Sequence, residues 1–137
     1  MRATLGVLVA GLGFLMSAVP VLGHHSFAAE YDATKPVTLK GVVTKLEWTN
    51  PHARFYVDVK DEKGTVTNWN LELASPNMMQ RNGWTRHALK EGDQVVVVAT
   101  RAKDGTNTAA TETITKSDGT VLTFMAAPDG VRPTSSK

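Results

Sequence analysis

The chain of 137 residues contains no cysteine, which excludes disulfide bonds, thiolate ligands and lipid attachment at a processed cysteine. It has no large excess of one charge either, because 15 lysines and arginines are balanced by 13 aspartates and glutamates. A basic surface for nucleic acid is therefore not expected. The common catalytic motifs are also absent: there is no nucleophile elbow, phosphate-binding loop or His-Glu-x-x-His helix. A binding protein is accordingly favoured over an enzyme.

Long apolar runs are absent beyond the start of the chain. Residues 5–16 are apolar, follow Arg2 and lead through Pro20 to small residues, which is the layout of a cleaved secretory signal peptide. A membrane anchor is less favoured, because spanning needs roughly 20 dominant apolar residues and glycines and Pro20 interrupt this run. The sequence predicts export, cleavage after Gly23 and no membrane attachment afterwards.

The remaining chain divides into three parts by composition. Residues 24–36 have no strand or helix period and are predicted to form an N-terminal arm. Residues 37–125 show short strands and turns, and residues 126–137 are polar and predicted to be a disordered tail. Removing residues 1–23 leaves 114, enough for a single domain.

The first predicted strand covers residues 37–48. Its apolar parity changes at Gly41, which predicts a bulge or bend at that glycine. Beyond it, Val42, Leu46 and Trp48 are expected to share one face of the strand.

The second and third strands are predicted to form a hairpin whose turn ends at Gly64. The apolar residues of the two strands face the same side only if the two residue numbers of each cross-strand pair add up to an even number. A left-handed bulge at Gly64 makes this sum 126 for every pair of the hairpin. Arg54 then lies opposite Glu72. His52 lies diagonal to Glu72 on the same, less apolar face.

The order of elements predicts a mainly β fold. After the first strand, the predicted elements are strands 55–59 and 66–73, a helix at 77–82 begun by Ser75-Pro76, and strands 94–102, 108–116 and 120–124. The valine run 95–98 predicts a strand covered on both faces. This order matches a small OB-like Greek-key barrel with a short helix between strands three and four. A β-sandwich with a helical insertion would show the same order.

The histidines are the candidate metal ligands. If cleavage makes His24 the terminus, its amine and ring can chelate one Cu(II), and a second imidazole completes a T-shaped set. His25 or His52 can supply that imidazole. Glu72 or Asp32 can serve as a further oxygen ligand or as an acceptor that orients a histidine ring.

Ordinary explanations exist for the same residues. His24 and His25 could be the exposed start of an exported chain. His52 could be a turn residue, with Glu72 held by Arg54 across the hairpin. On these local patterns alone, a metal site and a structural role both stay open.

The three tryptophans offer a different kind of function. Trp48 and Trp69 share parity with apolar neighbours and are expected in the core. Trp84 is less constrained, and an exposed Trp84 would mark a surface for a periplasmic protein, peptide or glycan. His87 is expected to be a solvated surface residue. An OB-like binding module is therefore the alternative function.

Several motifs together resemble an uncharacterised family of small exported bacterial proteins, a domain of unknown function. The motifs are His24-His25-Ser26-Phe27, Val37-Thr38-Leu39-Lys40-Gly41, Trp48-Thr49-Asn50-Pro51-His52, Ser75-Pro76-Asn77, Gly83-Trp84 and Leu89-Lys90-Glu91-Gly92-Asp93. The family commonly has an aromatic residue where this chain has Arg54. The resemblance implies a periplasmic location and one β-rich domain, and it pairs the two histidine motifs. We therefore expect a periplasmic metal-binding protein, with copper as the favoured metal.

Overall fold

The computed structural model describes residues 26–123, which form one six-stranded β-sheet and two short helices. The predicted signal peptide, the pair His24 and His25, and the predicted tail lie outside the described residues. In chain order the elements are α1 (Phe27–Glu30), β1 (Tyr31–Glu47), β2 (Arg54–Lys60), β3 (Val66–Glu72), α2 (Pro76–Arg81), β4 (Gln94–Ala102), β5 (Thr108–Lys116) and β6 (Val121–Thr123).

Strand pairing closes the sheet on itself. The strands are neighbours in the order β3-β2-β1-β4-β5-β6, and each of these pairs is antiparallel. The end of β3 also pairs in parallel with the start of β5, where Glu72 lies opposite Ala110. The last residue of β3 is therefore held between two strands, β2 and β5.

The β2–β3 hairpin has the predicted register. Phe55 pairs with Leu71 and Val57 with Trp69, and all four side chains are buried. Gly64 has a φ of 86°, the left-handed conformation that the bulge requires. The alternate residues of both strands consequently face outward.

The change of face within β1 occurs at Thr44, so the prediction of a bulge at Gly41 was wrong. Val43 and Lys45 pair with consecutive residues of β2, which leaves Thr44 without a partner. Val43 is therefore in the core, whereas Val42, predicted to share a face with the later apolar residues, is 40% exposed.

Gly41 has a different role, the close approach of β1 to β2. A Cβ atom at this position would overlap the carbonyl oxygen of Asp58 and the side chain of Val57. Glycine allows the two backbones to come together here.

β4 has the predicted bounds, but its valine run is covered mainly on one face. Val95 and Val97 are buried, while Val96 is 36% exposed on the outer face. The run of valines does not distinguish these faces, since every position is apolar.

The segment predicted to be an irregular arm has regular structure from Phe27 onward. After α1, β1 begins at Tyr31 and not near residue 37, and Tyr31 pairs with Ala102 at the end of β4. The N–H of Lys103 also donates to the carbonyl of Glu30 (2.8 Å). The segment lacks an apolar period because its structure depends on pairing with the distant β4.

The helix between β3 and β4 follows its capping signals. The Ser75 hydroxyl accepts a hydrogen bond from the N–H of Met78 (3.3 Å), and Pro76 occupies the first turn. Met79 packs into the core. No helix among the described residues is long and apolar enough to cross a membrane.

Candidate functional site

The candidate site is centred on Glu72, a residue that is only 6% exposed although it lies at the end of a strand. Its strand partners are Arg54 on β2 and Ala110 on β5. Tyr31, at the start of β1, reaches the same carboxylate. A carboxylate buried in this way needs hydrogen-bond donors to offset the loss of water.

Two side chains donate hydrogen bonds to Glu72, and a third contacts it. The Tyr31 hydroxyl and Nη2 of Arg54 donate to Oε2, at 2.6 and 2.7 Å. Nδ1 of His52 lies 2.6 Å from Oε1. Arg54 is oriented further by Asn70, because its Nη1 donates to Oδ1 of that amide (3.2 Å). We call Tyr31, His52, Arg54 and Glu72 the Glu72 cluster.

The short contact favours one tautomer of His52. A carboxylate only accepts hydrogen bonds, so the approach of Nδ1 to Oε1 is favourable when Nδ1 carries the ring proton. In the neutral ring Nε2 is then the nitrogen with a free lone pair. The His52 side chain is 44% exposed. Nε2, on the side of the ring away from Nδ1, is therefore the nitrogen left to bind a ligand.

The loop between β1 and β2 holds His52 beside the end of β3. A cis peptide bond joins Asn50 to Pro51 immediately before it. Immediately after it, the N–H of Ala53 donates to the carbonyl of Ala74 (3.1 Å) and its carbonyl accepts from the N–H of Leu73 (2.9 Å). These bonds extend the hairpin by one residue and place His52 at the edge of the paired region.

The sequence correctly predicted that Arg54 lies opposite Glu72 and that His52 lies near Glu72 on the same face. Asp32 is engaged elsewhere: the backbone and hydroxyl of Thr34 donate to its Oδ1, at 3.0 and 2.7 Å. These bonds lower the pKa of the Asp32 carboxyl below its usual value.

Sequence reasoning missed Tyr31, a donor to Glu72. No period marks the segment around it, and its contact with Glu72 spans 41 positions of the chain. The predicted register placed Glu72 on the less apolar face of the hairpin, where water can supply donors to a carboxylate, so no sequence signal pointed to a further partner.

An open groove of about 480 Å³ adjoins the Glu72 cluster. Tyr31 and Arg54 line it, together with Glu30, Lys103 and Thr108. Within residues 26–123, no three histidine, aspartate or glutamate side chains are grouped so that they could hold a metal ion.

Burial raises the pKa of the Tyr31 hydroxyl well above its usual value of 10.0, and the hydrogen bond to the neighbouring carboxylate of Glu72 adds to the shift. The neutral hydroxyl can donate to that carboxylate, whereas a phenolate would repel it. Tyr31 is accordingly held in its protonated form in the folded protein.

This shift predicts how the contribution of Tyr31 to stability depends on pH. The unfolded chain loses the tyrosine proton near pH 10, whereas the folded chain keeps it, so the contribution is complete below about pH 10 and declines as the pH rises further. Urea unfolding of the wild type and of Tyr31→Phe, from pH 7 to 11, measures it. The wild type should lose stability relative to Tyr31→Phe above about pH 10. A difference that stays constant to pH 11 would contradict the shift.

The remaining predicted residues are not members of the Glu72 cluster. Trp69 is buried, and Trp48 and Trp84 are partly buried and pack against the main core. The core positions of Trp48 and Trp69 were predicted correctly. His87 is exposed, also as predicted.

The fold and the cluster define a small, mainly β protein with a histidine–carboxylate pair beside a docked N-terminal segment. The chain belongs to DUF6152, a family of unknown function, whose model matches residues 13–111. That range includes both histidine motifs and Glu72. No curated protein and no solved structure matches the chain.

Proposed function

We propose that this is a periplasmic metal-binding protein, with copper the favoured metal, in which His52 and the histidines of the processed N-terminus bind one ion. The observation that carries the proposal is the 2.6 Å contact between Nδ1 of His52 and Oε1 of Glu72. A histidine that binds a metal almost always donates its other ring N–H to a carboxylate, carbonyl or water. His52 has this arrangement, with Nε2 left for the metal.

Glu72 acts as the acceptor that orients the ring, not as a direct ligand. Its Oε1 contacts Nδ1 of His52, and its Oε2 already accepts from Tyr31 and Arg54. A metal would have to displace these donors to reach either oxygen.

The terminal histidines complete the site if export removes residues 1–23. The amine and ring of His24 then form a chelate, and His52 or His25 provides a further nitrogen, a set suited to the tetragonal preference of Cu(II). Tyr31 brings the chain to the Glu72 cluster only seven positions after His24. Three extended residues before α1 reach roughly 10 Å. The absence of cysteine and of common catalytic motifs favours copper handling or sensing over turnover.

We also propose that the closed sheet is an OB-type Greek-key barrel. Support comes from the closed order β1-β2-β3-β5-β4, the parallel β3–β5 pairing and the helix between β3 and β4. OB folds bind ligands on the face of strands two and three and on the adjoining loop between strands one and two. His52 lies in that loop, and Glu72 lies at the end of β3.

The ligand role of His52 predicts a clear contrast between two histidines. His52→Ala should weaken Cu(II) binding at least about tenfold, because it removes one ligand of the ion. His87→Ala, which removes an exposed histidine outside the Glu72 cluster, should leave the affinity unchanged. Competition titration with a Cu(II) chelator measures both, using protein exported from cells.

Two results would contradict the proposal. Mass spectrometry of the exported protein could show a first residue other than His24, which would remove the terminal chelate. Alternatively, His52→Ala could bind Cu(II) as tightly as His87→Ala and the wild type, which would exclude His52 as a ligand.

A further inference from the structure

We propose that the sheet carries a second site, separate from the Glu72 cluster, which binds a small amphiphilic carboxylate of the fatty-acid type. The site is an open groove of about 500 Å³ lined by residues of β1 and β4 and by the ends of β2 and β5. Small-molecule sites in proteins usually have volumes of about 300–1,000 Å³. The inference goes beyond the proposed function and does not depend on metal binding.

Apolar residues line the part of the groove formed by β1 and β4. Val42 and Val96 are 40% and 36% exposed. Val42 pairs with Gln94, so Val96 is its diagonal neighbour on the same face of the sheet. Gly41 and Val95 line the groove beside them. An alkyl chain laid along the groove would remove this apolar surface from water, which is favourable.

Two lysines adjoin the exposed valines. Lys40 pairs with Val96 across β1 and β4. One step beyond the pair of Gly41 and Val59, the ladder between β1 and β2 places Lys60 beside Lys40. Like charges at neighbouring positions on adjacent strands are unfavourable. A bound anion would relieve this repulsion.

The other charged groups that line the groove already have partners. Asp58 accepts a hydrogen bond from Nδ2 of Asn68 (2.7 Å), and Lys116 forms an ion pair (3.3 Å). In the part of the chain that the structure describes, neither Lys40 nor Lys60 forms an ion pair. A carboxylate would supply the counter-charge that these two ammonium groups lack.

The shape of the groove favours a slender ligand. Val42 and Val96 line a recess, which the flat surface of a lipid bilayer would not reach. Two lysines are also fewer than the clusters of about 4–8 basic residues that bind anionic membranes. A single alkyl chain with a terminal carboxylate fits both features, since its tail covers the valines while its head group adjoins Lys40 and Lys60.

NMR titration of protein exported from cells tests the proposal, with decanoate as the probe. Saturable shifts are expected at the amides of Val42 and Val96. Decyltrimethylammonium has the same chain with the opposite charge, and butyrate has the same charge on a short chain. Each should bind at least about tenfold more weakly than decanoate, because it lacks one of the two interactions.

Two pairs of variants assign these interactions to residues. Lys40→Ala should weaken decanoate binding about three- to fivefold, whereas Lys35→Ala, on the same strand but outside the groove, should leave it unchanged. Val96→Thr should weaken it about two- to threefold, because a hydroxyl replaces an apolar methyl group. Val66→Thr alters an exposed valine of β3 outside the groove and should have no effect.

Four kinds of result would overturn the proposal. Decanoate could cause no saturable shifts at residues 40–42 and 94–96. Decyltrimethylammonium or butyrate could bind as tightly as decanoate, which would leave an apolar patch or a simple anion site. Lys40→Ala and Val96→Thr could bind decanoate as tightly as their controls. A peptide of alternating glutamate and valine could bind at the same amides more tightly than decanoate, which would assign the groove to a protein partner.

Discussion

Replacing Glu72 by glutamine is expected to lower the free energy of unfolding by about 2–3 kcal/mol and to weaken Cu(II) binding. The carboxylate is buried, accepts from Tyr31 and Arg54, and contacts Nδ1 of His52. An amide of the same size keeps one oxygen acceptor but turns the other atom into a donor. An amide nitrogen in the place of Oε2 faces the Arg54 guanidinium, whereas one in the place of Oε1 requires His52 to move its ring proton to Nε2. In both orientations the Arg54 guanidinium loses its counter-charge.

The magnitude is moderate because the cluster is not sealed from water. The Arg54 side chain is 33% exposed and that of His52 is 44% exposed, so solvent can compensate both in part. Tyr31 is the buried partner, and its hydroxyl would lose the most. Urea unfolding followed by circular dichroism measures the change in free energy.

Glu47→Gln is the matched control for this prediction. Glu47 also accepts from a tyrosine hydroxyl and a cation, Tyr56 and Lys45, but on the open outer face of the sheet. Glu47→Gln should lower the free energy of unfolding much less than Glu72→Gln, since exposed ion pairs are screened by water. Equal losses for Glu72→Gln and Glu47→Gln would show that burial of the cluster contributes nothing to stability.

The second large effect is expected at Gly41. Gly41→Ala should lower the free energy of unfolding by about 3 kcal/mol, because its Cβ would overlap the backbone oxygen of Asp58. Gly41 pairs with Val59 on one side and Val95 on the other. β1 therefore cannot move away from β2 without breaking its pairing with β4.

Lys40→Ala provides the comparison on the same strand. Lys40 is exposed, and its replacement should change stability by less than about 0.5 kcal/mol. Denaturant unfolding of both variants measures the change in the free energy of unfolding. If Gly41→Ala were as stable as Lys40→Ala, the close approach of β1 and β2 would not constrain this position.

The part of the site that the sequence predicted depends on one turn. Gly64 adopts the left-handed conformation, and with the apolar alternation of β2 and β3 this sets the register. The register places Arg54 opposite Glu72 and brings His52 near it. These relations span fewer than about twenty residues and follow from local geometry, so parity and turn chemistry were enough to find them.

The bulge of β1 shows where this reasoning fails. Gly41 carried the visible signal, yet the unpaired residue is Thr44. A threonine is ordinary in a strand, and its place in the ladder depends on how β1 pairs with β2. Glycine is needed at position 41 for a different reason, because the backbones of β1 and β2 approach too closely there to leave room for a Cβ atom. A sequence pattern does not show such an approach.

By itself the sequence determined the mainly β class, the hairpin register, the capped helix and the bounds of β4 and β5, because periodicity, turn glycines and caps act over a few residues. Only the tertiary structure decided that β3 also pairs with β5, that residues 27–36 are ordered, and that Tyr31 completes the donors around Glu72. These contacts join residues that are distant along the chain. Their formation depends on which buried groups still need partners once the sheet has closed, and no local pattern records that.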